Sequence, residues 1–81
     1  MKKHYSKKFD KKFEKYERKT QERIHKAIEL LPLGDVEKIQ GKKTPPIYRL
    51  RVGDYRILFR MNEHEIFIDK VDGRGDVYKG L

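Results

Sequence analysis

The sequence predicts an α+β fold: an N-terminal antiparallel helix hairpin packed on one face of a three- to four-stranded antiparallel sheet. Three observations predict it. Apolar residues in the first third recur with the period of a helix. From residue 47 onward the chain turns to β-branched and aromatic residues, punctuated by turn signals. Between them lies one loop-rich stretch, residues 33–46, holding Gly34, Gly41, Pro45 and Pro46. At 81 residues the chain is read as one small domain, 1–81, with no internal repeat.

The elements follow in order. Tyr5, Phe9, Phe13 and Tyr16 fall at i, i+4, i+8 and i+11, one stripe of a helix over about residues 6–18. The lysines between them point away. Thr20 is placed to cap a second helix, with Glu22 near its positive end. Ile24, Ala27, Ile28 and Leu31 give that helix an apolar face, and Pro32 and Gly34 stop it. A short extra strand near residues 3–5 is possible.

Strands are expected at 47–52, 55–61 and 65–71, with a last short one at about 76–79. Gly53-Asp54 reads as a two-residue hairpin turn, with Gly53 supplying a positive φ. That turn sets Val52 opposite Tyr55, Arg51 opposite Arg56, Leu50 opposite Ile57, Arg49 opposite Leu58 and Tyr48 opposite Phe59. Tyr48, Leu50, Val52, Tyr55, Ile57 and Phe59 then share one apolar face, which must cover the helices. The other face carries Arg49, Arg51, Arg56, Leu58 and Arg60. A second turn at Asn62-Glu63 would set Phe59 opposite Ile66 and Ile57 opposite Ile68. It would also pair Arg60 with Glu65 and Arg56 with Asp69.

Charge narrows the function. Lys plus Arg number 21 against 13 acids, a net charge of +8 on a short chain. A polyanion is therefore the leading partner. Eleven of those cations fall in the first 26 residues, against four acids; the plain reading is a solvated helix surface. Three arginines crowded on one sheet face are different. Arg51 opposite Arg56 destabilises a bare hairpin, and guanidinium is the group that grips phosphate in a bidentate way. The plain reading there is an exposed face partly neutralised by Asp69 and Glu65.

Other chemistry lacks residues. There is no Cys, hence no disulfide framework and no thiolate. His4, His25 and His64 lack metal-ligand spacing, so no metal and no cofactor is expected. No glycine-rich phosphate loop precedes a helix, and no Ser/His/Asp pattern supports nucleophilic hydrolysis. No apolar run is long enough for a membrane span and no signal-peptide core is evident, so the expected location is the cytoplasm, with no membrane partner.

The residues resemble a known family. Leu33-Gly34-Asp35-Val36-Glu37-Lys38-Ile39, then Gly41, then the block Tyr48 to Phe59 (YRLRVGDYRILF), and finally Arg74-Gly75-Asp76-Val77-Tyr78 are similar to the RelE/ParE toxins of type II toxin–antitoxin systems. The block around the Gly53 turn is the most specific part, and the likeness spans nearly the whole chain. The resemblance implies a RelE-like fold. It also implies a ribosome-dependent mRNA endonuclease in which the RNA 2′-OH attacks the adjacent phosphate and leaves a 2′,3′-cyclic phosphate.

By position, Arg49 and Arg51 look like the paired basic residues of the first hairpin strand, and Arg56 like the arginine of the next. Arg74 and Tyr78 look like the C-terminal Arg and Tyr. Arginines would stabilise charge on the scissile phosphate, and a tyrosine among guanidinium groups would have its pKa lowered. Arg49, Arg51, Arg56, Arg60, Lys42 and Lys43 form the expected RNA-binding set. The implied partners are the ribosome, mRNA and a small acidic antitoxin from a neighbouring gene. Many relatives carry His or another base just before the C-terminal Arg, where this chain has Asp72-Gly73. That departure keeps two alternatives open: a ParE-like inhibitor of DNA gyrase that cuts no RNA, and a catalytically weak nucleic-acid-binding relative.

Overall fold

The computed structural model describes residues 1–39 and 45–73. In order these form β1 (Lys2–Tyr5), α1 (Lys7–Phe13), α2 (Arg18–Glu29), β2 (Val36–Lys38), β3 (Tyr48–Val52), β4 (Tyr55–Met61) and β5 (Glu65–Gly73). The strands make one sheet in the order β1-β5-β4-β3-β2. Neighbours are antiparallel except β1, which runs parallel to β5. The fold class stands as expected, but the sheet has five strands rather than three or four and is not wholly antiparallel. The strand expected at 76–79 lies outside the described residues. Among the described residues no helix is long and apolar enough to cross a membrane.

Ser6 joins the two halves. Its backbone N–H donates to the Ile68 carbonyl (3.0 Å) and its hydroxyl donates to the Asp69 carbonyl (2.6 Å). The same hydroxyl oxygen accepts from the Phe9 N–H at 3.0 Å, so Ser6 is also the N-cap of α1. The chain thus leaves β1 and enters α1 without leaving β5, and α1 rests against that strand. α1 is shorter than the expected 6–18. The aromatic stripe survives because it is spread over three elements: Tyr5 ends β1, Phe9 and Phe13 lie in α1, and Tyr16 follows the helix. Tyr5 tilts against Phe9 at 5.3 Å, Phe9 and Phe13 stack at 5.2 Å, and Tyr16 tilts against Tyr55 at 5.0 Å.

Thr20 does not cap α2. Glu17 is the N-cap residue, extended at φ −66° and ψ 160°, without a side-chain cap bond. The link is tight because the Gln21 side-chain amide donates to the Phe13 carbonyl at 3.0 Å. That carbonyl also accepts from the Tyr16 N–H at 3.1 Å, and the side-chain bond ties the start of α2 to the end of α1. Ile24 and Ile28 of α2 are buried over the sheet, and α2 sits against β3.

The β3–β4 register is the one the turn dictates, from Val52↔Tyr55 to Tyr48↔Phe59. Gly53 has φ +58°, and a Cβ there would lie 2.5 Å from the Arg23 guanidinium. The positive φ calls for glycine, whereas the guanidinium is the movable end of a long side chain. The β4–β5 register differs from expectation by two residues. Asn62 Oδ1 accepts from the His64 and Glu65 N–H groups (2.9 and 2.8 Å) and the Asn62 N–H donates to the Glu65 carbonyl (2.9 Å), which moves the two-residue turn to Glu63-His64. Met61 therefore faces Ile66, and Phe59 faces Ile68. A shift of two preserves the alternation, so Ile66 and Ile68 still point into the core. A bulge follows: Leu58 faces Lys70 and Ile57 faces Val71, leaving Asp69 without a direct partner. The expected Arg60–Glu65 and Arg56–Asp69 pairs do not form; Asp69 binds Arg60 and Glu65 binds His4.

The core lies between the helices and the sheet. Phe59, Ile57, Ile24 and Ile66 are each 0% exposed, and Tyr48, Val52 and Tyr55 pack at its edge. No polar or charged residue is buried in it among the described residues. Phe59→Ala should cost about 3–5 kcal/mol, as large-to-small changes at filled sites do. Small domains hold roughly 5–15 kcal/mol in total, so the denaturation midpoint should fall sharply with an unchanged m-value.

Tyr16 contributes to stability at alkaline pH. Its phenol oxygen is buried without a hydrogen-bond partner among the described residues. Burial first, then nearby Asp72 and Tyr55, pushes its pKa up to about 12. The folded state holds this proton more tightly than the unfolded chain. The associated stability is complete below pH ~10, the ordinary tyrosine value, and is lost as pH rises toward about 12. Melting temperature against pH should therefore fall less steeply across that window in Tyr16→Phe than in the wild type.

Candidate nucleic-acid interface

Strand alternation puts Arg49, Arg51, Arg56 and Arg60 on the face away from the core, as the hairpin register requires. Leu58 lies among them and is only 2% exposed, yet it belongs to no part of the helix-side core. Arg51 and Arg56 are direct cross-strand partners. Arg56 donates from Nη1 to the Gly53 and Tyr55 carbonyls (3.2 and 3.3 Å), which folds its side chain back over the turn. Arg51 is 48% exposed, with Nε 3.5 Å from an Asp35 carboxylate oxygen. Two like-charged residues are cross-strand neighbours here, with Asp35 beside Arg51 and Asp72 opposite Arg56 on the next strand.

Arg49 is different. Its side chain is 13% exposed, its Nη2 donates to Glu37 at 2.9 Å, and the same nitrogen lies 3.8 Å from Asp35. Its Nε is buried without a partner among the described residues. A charge this enclosed needs counterions, and the edge strand β2 supplies them. Asp35 and Glu37 were not singled out from the sequence. The signal was the Asp35-Val36-Glu37 alternation, which puts two acids on one side of a short strand. That strand pairs with β3, with Glu37 opposite Arg49.

The far end of the face is closed by its own pairs. Arg60 binds Asp69 through two bonds of 2.7 and 2.8 Å. The Asp69 hydrogen bond holds the Arg60 guanidinium above its ordinary pKa. That guanidinium lies 5.3 Å over the Phe67 ring. On the other side of Phe67 the His4 ring stacks at 5.0 Å, with its Nε2 2.6 Å from Glu65. Arg60 thus shares the face with the other arginines but is engaged in a bidentate pair and a ring contact. Arg74, Tyr78, Lys42 and Lys43 lie outside the described residues. Among the described residues no three His, Asp or Glu side chains converge as a metal set.

The open end of this surface is electropositive and lacks a deep cavity. Guanidinium groups there can hold a phosphate and stabilise charge that grows on it. The described side chains of this end, Arg51 and Arg56, offer N–H donors and no acceptor.

Comparison with known proteins agrees with this architecture. A family profile described as "ParE toxin of type II toxin-antitoxin system, parDE" matches residues 4–78. The chain is similar to the archaeal RelE of the RelE–RelB complex from Pyrococcus horikoshii OT3, at 26% identity and a TM-score of 0.73. The match covers 93% of this chain and 96% of that one. It is similar to a chain of the RelB–RelE antitoxin–toxin complex from Methanococcus jannaschii, at 30% identity and a TM-score of 0.72, over 91% and 93% of the two chains. The intact E. coli RelBE complex shares the fold, with a TM-score of 0.58 at 17% identity, over 93% of this chain and 96% of that one. A search of the curated proteins finds no match. From one strand to the C-terminal region, the chain belongs to the ParE toxin family of type II toxin–antitoxin systems, within the RelE/ParE superfamily.

Proposed function

We propose that this toxin is a ribosome-dependent mRNA endonuclease that arrests translation in the cytoplasm. The observation that supports it is the Arg51–Arg56 pair, two arginines at directly opposed cross-strand positions on the face of the hairpin away from the core. A protein gains nothing in stability from that juxtaposition; a phosphate between the two would relieve it. In the proposed reaction the RNA 2′-oxygen attacks the adjacent phosphorus while the bond to the 5′-oxygen breaks. The product strand keeps a 2′,3′-cyclic phosphate, the 2′-OH proton leaves to a base, and the 5′-oxygen takes up a proton. Arg51 and Arg56 neutralise the non-bridging oxygens, with Arg49 behind them on its carboxylate partners. Arg60 and the loop residues Lys42 and Lys43 contribute to RNA binding. Arg74 adds positive charge, and the Tyr78 phenol assists the 2′-OH.

The second reading is a ParE-like inhibitor of DNA gyrase. The Asp72-Gly73 stretch favours it, since Asp72 stands where relatives carry a base and is occupied by Lys12 at 3.6 Å. In either reading the partner that restrains the toxin is a small acidic antitoxin, as the RelB chains accompany the similar archaeal toxins.

Expression without antitoxin should arrest growth, and primer extension should place cuts in translated mRNA at the ribosomal A site. Intact transcripts with gyrase-linked DNA breaks would establish the second reading instead. Tyr78→Phe should lower single-turnover cleavage by about 10²–10⁴-fold, the usual loss for an acid–base group, while ribosome affinity stays level. Arg56→Ala should harm both, because a phosphate contact exists before the transition state and strengthens in it.

A bound antitoxin should raise the melting temperature of the toxin. At a thousandfold excess over Kd the added stability is about 4 kcal/mol. A complex that melts no higher than the free toxin would refute an antitoxin that binds the folded state.

A further inference from the structure

Four lysines of the first helical segment remain unaccounted for by the arginine face. Lys8, Lys11, Lys12 and Lys15 recur at i, i+3, i+4 and i+7, and all four are exposed. At 3.6 residues per turn they occupy an arc of about 100°. The acids of the same segment, Asp10 and Glu14, fall on the opposite flank, and Phe9 and Phe13 turn inward. The stripe is therefore of one sign. Lys15 keeps its place in it because its N–H donates to the Lys12 carbonyl at 3.2 Å, one further turn past the end of α1.

The stripe does not face bulk solvent alone. With Lys70 and Asp72 of β5 it lines a cleft of about 210 Å³. The cleft exists because β1 pairs with β5 only as far as Ile68, after which α1 runs beside the rest of that strand. Asp72 is the cross-strand partner of Arg56 and lies 3.6 Å from Lys12. It thus stands between the lysine stripe and the Arg51–Arg56 pair, and the two basic regions meet across it.

We propose that this cleft is a second anion track, in which Lys8, Lys11, Lys12 and Lys15 carry the phosphate backbone of the RNA strand beyond the arginine hairpin. The proposal rests on the RNA-binding reading above and adds the path of the strand. The stripe is about 10 Å long, room for two or three consecutive phosphates of a stacked strand. Lysine suits this role: it is a point charge on a flexible stem that follows a backbone without demanding one geometry. The arginines select and hold one phosphate, and the lysines supply affinity without sequence preference.

The test is fluorescence anisotropy of a labelled decauridylate with the full-length toxin across a salt series. The K8Q/K11Q/K12Q/K15Q variant should bind about tenfold or more weakly near 0.1 M salt. Its log–log salt slope should flatten by about 2 to 3, since each single-strand contact contributes about 0.7. The matching K8R/K11R/K12R/K15R variant should keep wild-type affinity. R51A/R56A should weaken binding separately, and combining it with the lysine changes should weaken it further. Lys11→Gln and Lys15→Gln alone, each with a wild-type melt, should each remove about 0.7 of slope. If the fourfold Gln variant binds like the wild type while R51A/R56A does not, the track is wrong and the RNA-binding face stands. If neither variant changes binding, both ideas fall. If decaglutamate binds the wild type as tightly as the oligonucleotide, and loses as much in the Gln variant, the cleft is a dock for an acidic protein segment and the proposal is overturned.

Discussion

A single turn at Gly53 sets both faces of the sheet. At φ +58° the Gly53 backbone lies in the left-handed region that favours glycine, which closes the hairpin tightly. Closing it there pairs Val52 with Tyr55 and carries the alternation outward along both strands. One face then receives Leu50, Ile57 and Phe59, which are buried under the helices. The other receives the arginines. A slip of one residue would exchange the two sets, exposing the core and burying the charge. Core and candidate site are thus two consequences of one register, and neither can be moved without the other.

Crowding guanidinium groups on that face has an electrostatic cost, and the chain offsets it unevenly. Asp35 and Glu37 on the β2 edge neutralise Arg49 and reach toward Arg51. Asp69, at the bulge, neutralises Arg60 through two short bonds. The most exposed cation left on the hairpin is Arg51, beside Arg56, which folds over the turn. The repulsion is relieved most at the ends of the row, and least at its centre, where Asp35 lies 3.5 Å from Arg51 and Asp72 is opposite Arg56. A site for an incoming phosphate is best left that way, because binding then removes strain as well as adding contacts.

The other organising element is Ser6, whose hydroxyl closes the end of β1 onto β5 and opens α1 in the same step. This places α1 beside the unpaired half of β5 and turns its lysines toward Asp72. A short helix of seven residues would be marginal alone. Here the Ser6 cap and the Phe9 and Phe13 rings hold it against the sheet. The positive surface at this edge therefore rests on aromatic packing on the inner side of the same helix.

The sequence by itself determined the α+β class, the two helices, the three long strands and the β3–β4 register, because each depends on local periodicity or on one glycine turn. It also determined which arginines share a face, since alternation needs no tertiary contact. Only the tertiary structure decided the rest. Whether Thr20 or Glu17 begins α2 was settled by the Gln21 side chain reaching the Phe13 carbonyl. The β4–β5 register was settled by Asn62 capping its own loop, and the choice of Asp69 as partner for Arg60 by a bulge that no local pattern announces. β1, four residues long, stands where the sequence suggested a short strand at 3–5, but its parallel pairing with β5 had no local signal, and the three-residue, charge-rich β2 carries no hydrophobic alternation to read. Their strand character comes from the neighbours they pair with. The same holds for the counterions of Arg49: acids distant in sequence become its partners only when the sheet brings β2 beside β3, because ion pairing depends on distance in space and not along the chain.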